Sequence, residues 1–138
     1  MIEAIRRVSH PPDRVFEFLS DLRNHWRLEE RAFLELEEVC ESSGVIRLRG
    51  PIGLSRKVRT RVLEAERPSR VAGRADLRGG TVGLVAWEIR PDTAGSRVRL
   101  SAEVAEASPA DRILLALGGE AWLTRLFERA LANLETAL

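Results

Sequence analysis

PADRILLALGGEAWLTRLFERALANLETAL, residues 109–138, is the most strongly patterned stretch of the sequence. Leu123, Phe127, Ala130, Leu131, Leu134 and Leu138 recur at the three- and four-residue intervals that put side chains on one stripe of an α-helix. Arg125, Glu128, Arg129 and Glu135 fall largely outside that stripe. Ser108 supplies an N-cap and Pro109 sits where a missing N–H costs nothing. The spacing predicts one long helix, bent at Gly118-Gly119 where two glycines weaken it. A helix with one apolar face needs a partner surface.

That partner lies upstream. Between residues 32 and 107 apolar and polar side chains mostly alternate, the period of strands with one covered face. Strands are expected over 32–41, 45–49, 54–66, 71–78, 81–90 and 97–104, separated by Ser42-Ser43-Gly44, Gly50-Pro51-Ile52-Gly53, Arg67-Pro68-Ser69, Gly79-Gly80 and Pro91–Gly95. Tight turns between successive strands predict an antiparallel meander. Ahead of it, residues 2–9 read as a first strand, stopped by Pro11-Pro12. Pro12 then opens a short helix carrying Val15, Phe16 and Leu19, and a second short helix spans Leu22 to Leu28 with Asp21 as N-cap.

The bulk properties narrow the class. The chain of 138 residues is 44% hydrophobic and 31% charged, with a net charge of +1, a globular balance without a global pull toward polyanions. It suits a single domain over residues 1–138. One cysteine, Cys40, excludes an internal disulfide and a cysteine metal cluster, and its inward parity suggests a small buried hydrophobe. The first residues lack a signal-peptide core and no apolar run could span a bilayer, so a cytoplasmic protein without integral membrane association is expected.

The element order, with His10-Pro11-Pro12-Asp13-Arg14-Val15-Phe16 at the first strand–helix junction, resembles the SRPBCC superfamily, and within it the bacterial polyketide cyclase/dehydrase-like branch. Val8, Pro11, Pro12, Val15 and Phe16 match the pattern often found there, whereas His10 replaces the usual small residue. The Asp21–Trp26 segment and the Phe127–Leu134 helix end are also similar. The resemblance implies an α+β helix-grip (START-like) fold: a curved antiparallel sheet of about seven strands wrapped on the long C-terminal helix. It further implies an elongated cavity between them for an apolar or amphipathic small molecule. It implies no shared catalytic set and no cofactor.

Small residues of inward parity, Gly73, Ala75, Gly83 and Ala102, fit either an open pocket or a closely packed helix. If a pocket, the ligand-contacting residues are expected to be Trp26, Leu36, Val58, Val62, Ala75, Val85, Trp87, Leu100, Trp122 and Leu126. The 109–117 segment would act as a lid, with Ile113, Leu114 and Leu117 over its mouth. In that case alanine at both glycines of the bend would alter ligand access more than folding.

Polar candidates are few. Arg6 and Glu38 have inward parity, and a buried charge must be paired, bind a ligand or escape to a rim. Arg6 could hold a carboxylate or phenolate, and Glu38 or His25 could serve as acid or base. Arg56 shares the ambiguity. The two histidines show no metal-ligand spacing, so no metal is expected. Arg47, Arg49, Arg56, Lys57, Arg59 and Arg61 form a basic run with no outward aromatic between them, which reads as a solvated face and not a nucleic-acid site. Three functions are consistent with this: binding of a hydrophobic or aromatic molecule, a cyclase, aromatase or dehydratase, and a protein-interaction module. A monomer and a homodimer fit equally.

Overall fold

A computed structural model describes residues 1–28, 33–49 and 55–138. The elements are β1 (Ile2–Val8), α1 (Pro12–Leu19), α2 (Leu22–His25), β2 (Phe33–Glu37), β3 (Ser43–Arg49), β4 (Ser55–Glu66), β5 (Arg70–Leu77), β6 (Thr81–Asp92), β7 (Gly95–Glu106), α3 (Pro109–Leu114) and α4 (Glu120–Ala137). The strands form one antiparallel sheet in the order β1-β7-β6-β5-β4-β3-β2. This is the helix-grip arrangement expected from the element order. The Gly50-Pro51-Ile52-Gly53 loop and the expected strand starts at Ala32 and Leu54 lie outside the described residues. The second helix is shorter than the spacing predicts, ending at His25, with Asp21 accepting from the Arg23 N–H at 3.0 Å as its cap.

Because β1 and β2 are opposite edges, the chain must cross the whole sheet between them, and it does so through α1 and α2. Val15, Phe16 and Leu19 of α1 are buried against the sheet together with Val8, Val71, Ile89 and Val98. Leu131 and Leu134 of α4 complete this packed end of the molecule. The helix is fixed there by three bonds to the start of the chain. The Ser9 N–H donates to Glu135 Oε2 at 2.8 Å, the Arg14 guanidinium to the Leu138 carbonyl at 3.2 Å, and Asn133 Nδ2 to the Leu28 carbonyl at 2.5 Å.

α4 runs alongside β1 and touches β7 only lightly. The inner face of β3 to β6 is therefore not covered by direct packing of α4, and α1 reaches only the end of β5 and β6 beside Val71 and Ile89. Bulges at Val62–Glu64 in β4 and Val82–Gly83 in β6 bend those strands and increase their twist. One covered face and one wet face follow the sequence alternation. On the wet face Arg99 bridges Glu3 and Glu88, and Lys57 reaches Glu37 at 3.2 Å.

The C-terminal stretch bends where two glycines predict it to. Residues Leu115–Gly119 widen into a π-helical turn, and Gly118 adopts φ 117°, a left-handed conformation. Such a φ strongly favours glycine. A Cβ on Gly119 would lie 2.8 Å from the Leu114 carbonyl oxygen. These glycines thus build the bend itself, and replacing them with alanine strains the fold locally. The expectation that alanines there alter ligand access more than folding thus carries a folding cost of its own.

Cys40 is exposed, not buried. β2 stops at Glu37, and Glu38 takes a positive φ of 47°, so the strand alternation no longer governs which way Cys40 points. Its thiol sits against Ser43, 2.9 Å from the hydroxyl and 3.2 Å from the carbonyl. No helix among the described residues is long and apolar enough to cross a membrane.

Candidate functional site

Between the curled sheet and the α3–α4 arm lies an apolar cavity of about 350 Å³. This is within the usual range for small-molecule pockets. Its floor follows from strand register. One cross-strand row runs Ala102–Val85–Gly73–Val62, and the next runs Val104–Gly83–Ala75–Thr60. Each row mixes branched residues with glycine or alanine, so the floor is recessed where those side chains are missing. An added Cβ on Gly83 would meet no atom within 4 Å. The small inward residues therefore mark open space there. At Gly73 the reason differs: a Cβ would come within 2.7 Å of the Arg61 carbonyl oxygen, so that glycine is required by close backbone approach.

Val58, Val62, Ala75, Val85, Trp87 and Leu100 line the sheet side. Trp122 and Leu126 of α4 face them, and Trp26 closes one end. All three tryptophans of the chain thus border one space. Leu36 does not. It pairs with the buried Ile46 on the same sheet face, but β2 is the edge strand, and Leu36 is left 52% exposed. On α3 and the bend, Leu114 and Leu115 turn toward the cavity, whereas Ile113 and Leu117 point outward at 60% and 79% exposure. The expected inward set Ile113, Leu114 and Leu117 is corrected accordingly: the bend rotates the face presented to the sheet.

The polar candidates separate. Arg6 is exposed and absent from the lining, because at its end of β1 the long side chain escapes past the end of α4. There the Ser9 N–H bond, aided by the charges of His10 and Arg6, holds the Glu135 carboxyl below its ordinary value. Glu38 is exposed beyond the end of β2. Neither reaches the cavity.

Arg56 does reach it. Its parity matches Val58 and Thr60, and its Nη1 lies 2.5 Å from Asp111 Oδ1 on α3, while Nη2 donates to the Arg78 carbonyl at 2.5 Å. Asp111 also accepts from the Thr81 hydroxyl, and Thr81 in turn accepts from the Ser108 N–H at 3.1 Å. Burial pushes the Asp111 carboxyl up, but the bonds from Arg56 and Thr81, with the nearby positive charge, outweigh it and leave the group below the ordinary 3.8. Asp111 escapes a reading of single residues because it looks like a helix-start acid. The available signal was an acid in the first helical turn opposite an arginine of inward parity. Among the described residues no three His, Cys, Asp or Glu side chains group as a metal site.

His25 occupies the other end. Its ring packs edge-on to Trp87 with centroids 5.5 Å apart, and its Nε2 lies 2.6 Å from the Leu19 carbonyl oxygen. Burial drives its pKa below 6.5, opposed by the Leu19 contact and by the charge of Asp21. His25 is therefore a neutral imidazole at neutral pH. Thr81 and Trp87, which mark the two polar ends along β6, are about 20 Å apart at roughly 3.3 Å per residue. The wall between them is apolar.

Solved structures share this fold. A Thermus thermophilus protein superposes with a TM-score of 0.71 at 20% identity, covering 99% of this chain and 94% of that one. A Sulfolobus tokodaii protein gives 0.74 at 15% identity, covering 99% and 92%. DynU16, from the dynemicin biosynthetic locus, gives 0.62 at 16% identity, and the match covers 98% of this chain but 45% of DynU16. No curated protein matches. The family described as polyketide cyclase / dehydrase and lipid transport matches over residues 2–138. With the gripped helix and the enclosed apolar space already in place, that match over nearly the full length identifies the chain as a member of the polyketide cyclase/dehydrase and lipid-transport family.

Proposed function

We propose that this protein binds a hydrophobic or aromatic small molecule in the cavity between the sheet and the α3–α4 arm. The observation that carries this reading is the recessed floor: glycine and alanine stand where a packed core would need large side chains, and the space at Gly83 is open. The proposed contacts are Trp26, Val58, Val62, Ala75, Val85, Trp87, Leu100, Trp122 and Leu126. Binding is favoured over cyclisation or dehydration because an enzyme of that kind needs polar groups converging on one substrate atom. Here His25 and the Arg56–Asp111 pair stand at opposite ends, and Arg6 and Glu38 lie outside.

A panel of apolar and aromatic compounds tests the proposal by thermal shift and tryptophan emission. With no tyrosine in the chain and every tryptophan beside the cavity, a bound molecule should perturb most of the intrinsic fluorescence. Absence of any stabilised or spectrally shifted complex across the panel would remove this reading.

A further inference from the structure

We propose that His25 Nδ1 is a hydrogen-bond acceptor for a ligand hydroxyl, so that the cavity selects an apolar alcohol or phenol over a carboxylate. This rests on the ligand-binding reading above and specifies the ligand's polar group.

The tautomer follows from hydrogen-bond chemistry. A carbonyl oxygen can only accept, so the 2.6 Å contact between His25 Nε2 and Leu19 O requires the proton to be on Nε2. In a neutral ring the other nitrogen, Nδ1, is then an unprotonated acceptor. The ring is neutral because burial disfavours its charged form. His25 has no further hydrogen-bond partner among the described residues, yet it keeps surface open where it lines the cavity. Nδ1 is not sealed from solvent, so a ligand can reach it, and a ligand that displaced water from it without offering a donor would leave an unpaired acceptor. A ligand O–H would satisfy it.

The rest of the cavity argues against an anion. A carboxylate has no proton to give Nδ1, and burying its charge there would be unfavourable. Of the arginines that border the cavity, Arg56 is bonded to Asp111 and to the Arg78 carbonyl, Arg74 is bonded to Asp76, and Arg61 is exposed, while the Asp111 charge would repel a second carboxylate. A hydroxyl on an apolar body fits both ends.

Two substitutions separate ligand recognition from a structural role. Glutamine reproduces the Nε2 donor to Leu19 but offers no acceptor at the Nδ1 position. Asparagine places an amide oxygen near Nδ1 but is too short to reach Leu19. Isothermal titration would compare 2-naphthol with 2-methylnaphthalene, a near-isostere without the hydroxyl. The native protein should prefer naphthol by about tenfold, the worth of one hydrogen bond in a dry site. H25Q should lose that preference, the ratio of the two affinities falling to about one, and H25N should retain part of it. Should H25Q not fold, the Nδ1 nitrogen resonance of the native protein decides: it should shift on adding naphthol and stay put on adding methylnaphthalene. Equal binding of both probes by the native protein, or a folded H25Q that keeps the preference, overturns the assignment while leaving the cavity reading intact. If neither probe binds, the cavity reading falls and the inference falls with it.

Discussion

Arg56 on β4 and Asp111 on α3 are joined by a 2.5 Å ion pair that ties α3 to the sheet across one end of the cavity. The carboxylate is nearly buried and takes a second bond from Thr81, while the guanidinium is partly exposed. Removing one member of such a pair strands the other. We expect D111N to lower unfolding stability by about 2 kcal/mol in a denaturant titration. R56M combined with D111L should recover much of the loss, since an apolar pair leaves no charge unmatched. The pH dependence has a fixed sign. Asp111 is held below 3.8 in the folded chain, so its contribution is complete above the unfolded value and disappears as pH falls through the lowered folded one. D111N should flatten that acid limb.

The bend between α3 and α4 makes a second test. Gly118 holds a φ of 117°, which an L-residue adopts only with strain. G118A should cost roughly 1 kcal/mol or more. Hydrogen exchange should locate the loss in residues 109–119. Uniform destabilisation across α4 and the sheet would show that the bend is not where the strain sits.

His25 predicts a different pH window. Its folded pKa is depressed by burial, so the unfolded chain binds the proton more readily. Stability linked to this ring is therefore full above about 6.5, the unfolded value, and declines as pH falls below it toward the lowered folded value. Replacement by glutamine, which does not titrate, should remove this slope. Equilibrium unfolding of H25Q and the native protein between neutral and mildly acidic pH would measure it; parallel curves would contradict the placement of His25 in an enclosed site.

Much of this architecture is legible in the residues. Period-two alternation and turn residues locate the strands, and the stripe from Leu123 to Leu138 locates the helix, because burial of one face leaves a direct imprint on sequence. Glycine and alanine of inward parity carry the cavity floor in the same way. What escapes is set by position within the whole sheet. Leu36 has the right parity but sits on an edge strand and stays exposed, and parity cannot distinguish an edge from a centre. Arg6 and Glu38 also have inward parity, but one leaves past the helix end and the other past the strand end. Arg56 has the same parity and stays in, because Asp111 arrives from a helix far along the chain to pair with it. That partnership is a tertiary fact with no local signature.

If the space above Gly83 holds a ligand, a side chain that fills it should exclude that ligand. Gly83 has room for a side chain, so G83L should fold with native or slightly higher stability, the gain from removing a strand glycine being at most about 1 kcal/mol. Calorimetric titration of 2-methylnaphthalene into both proteins is the measurement. We expect saturable binding to the native protein and at least about tenfold weaker binding to G83L, because the leucine occupies the ligand's volume. Equal affinity in the two folded proteins, or no binding to either, would show that the space above Gly83 is not a ligand site.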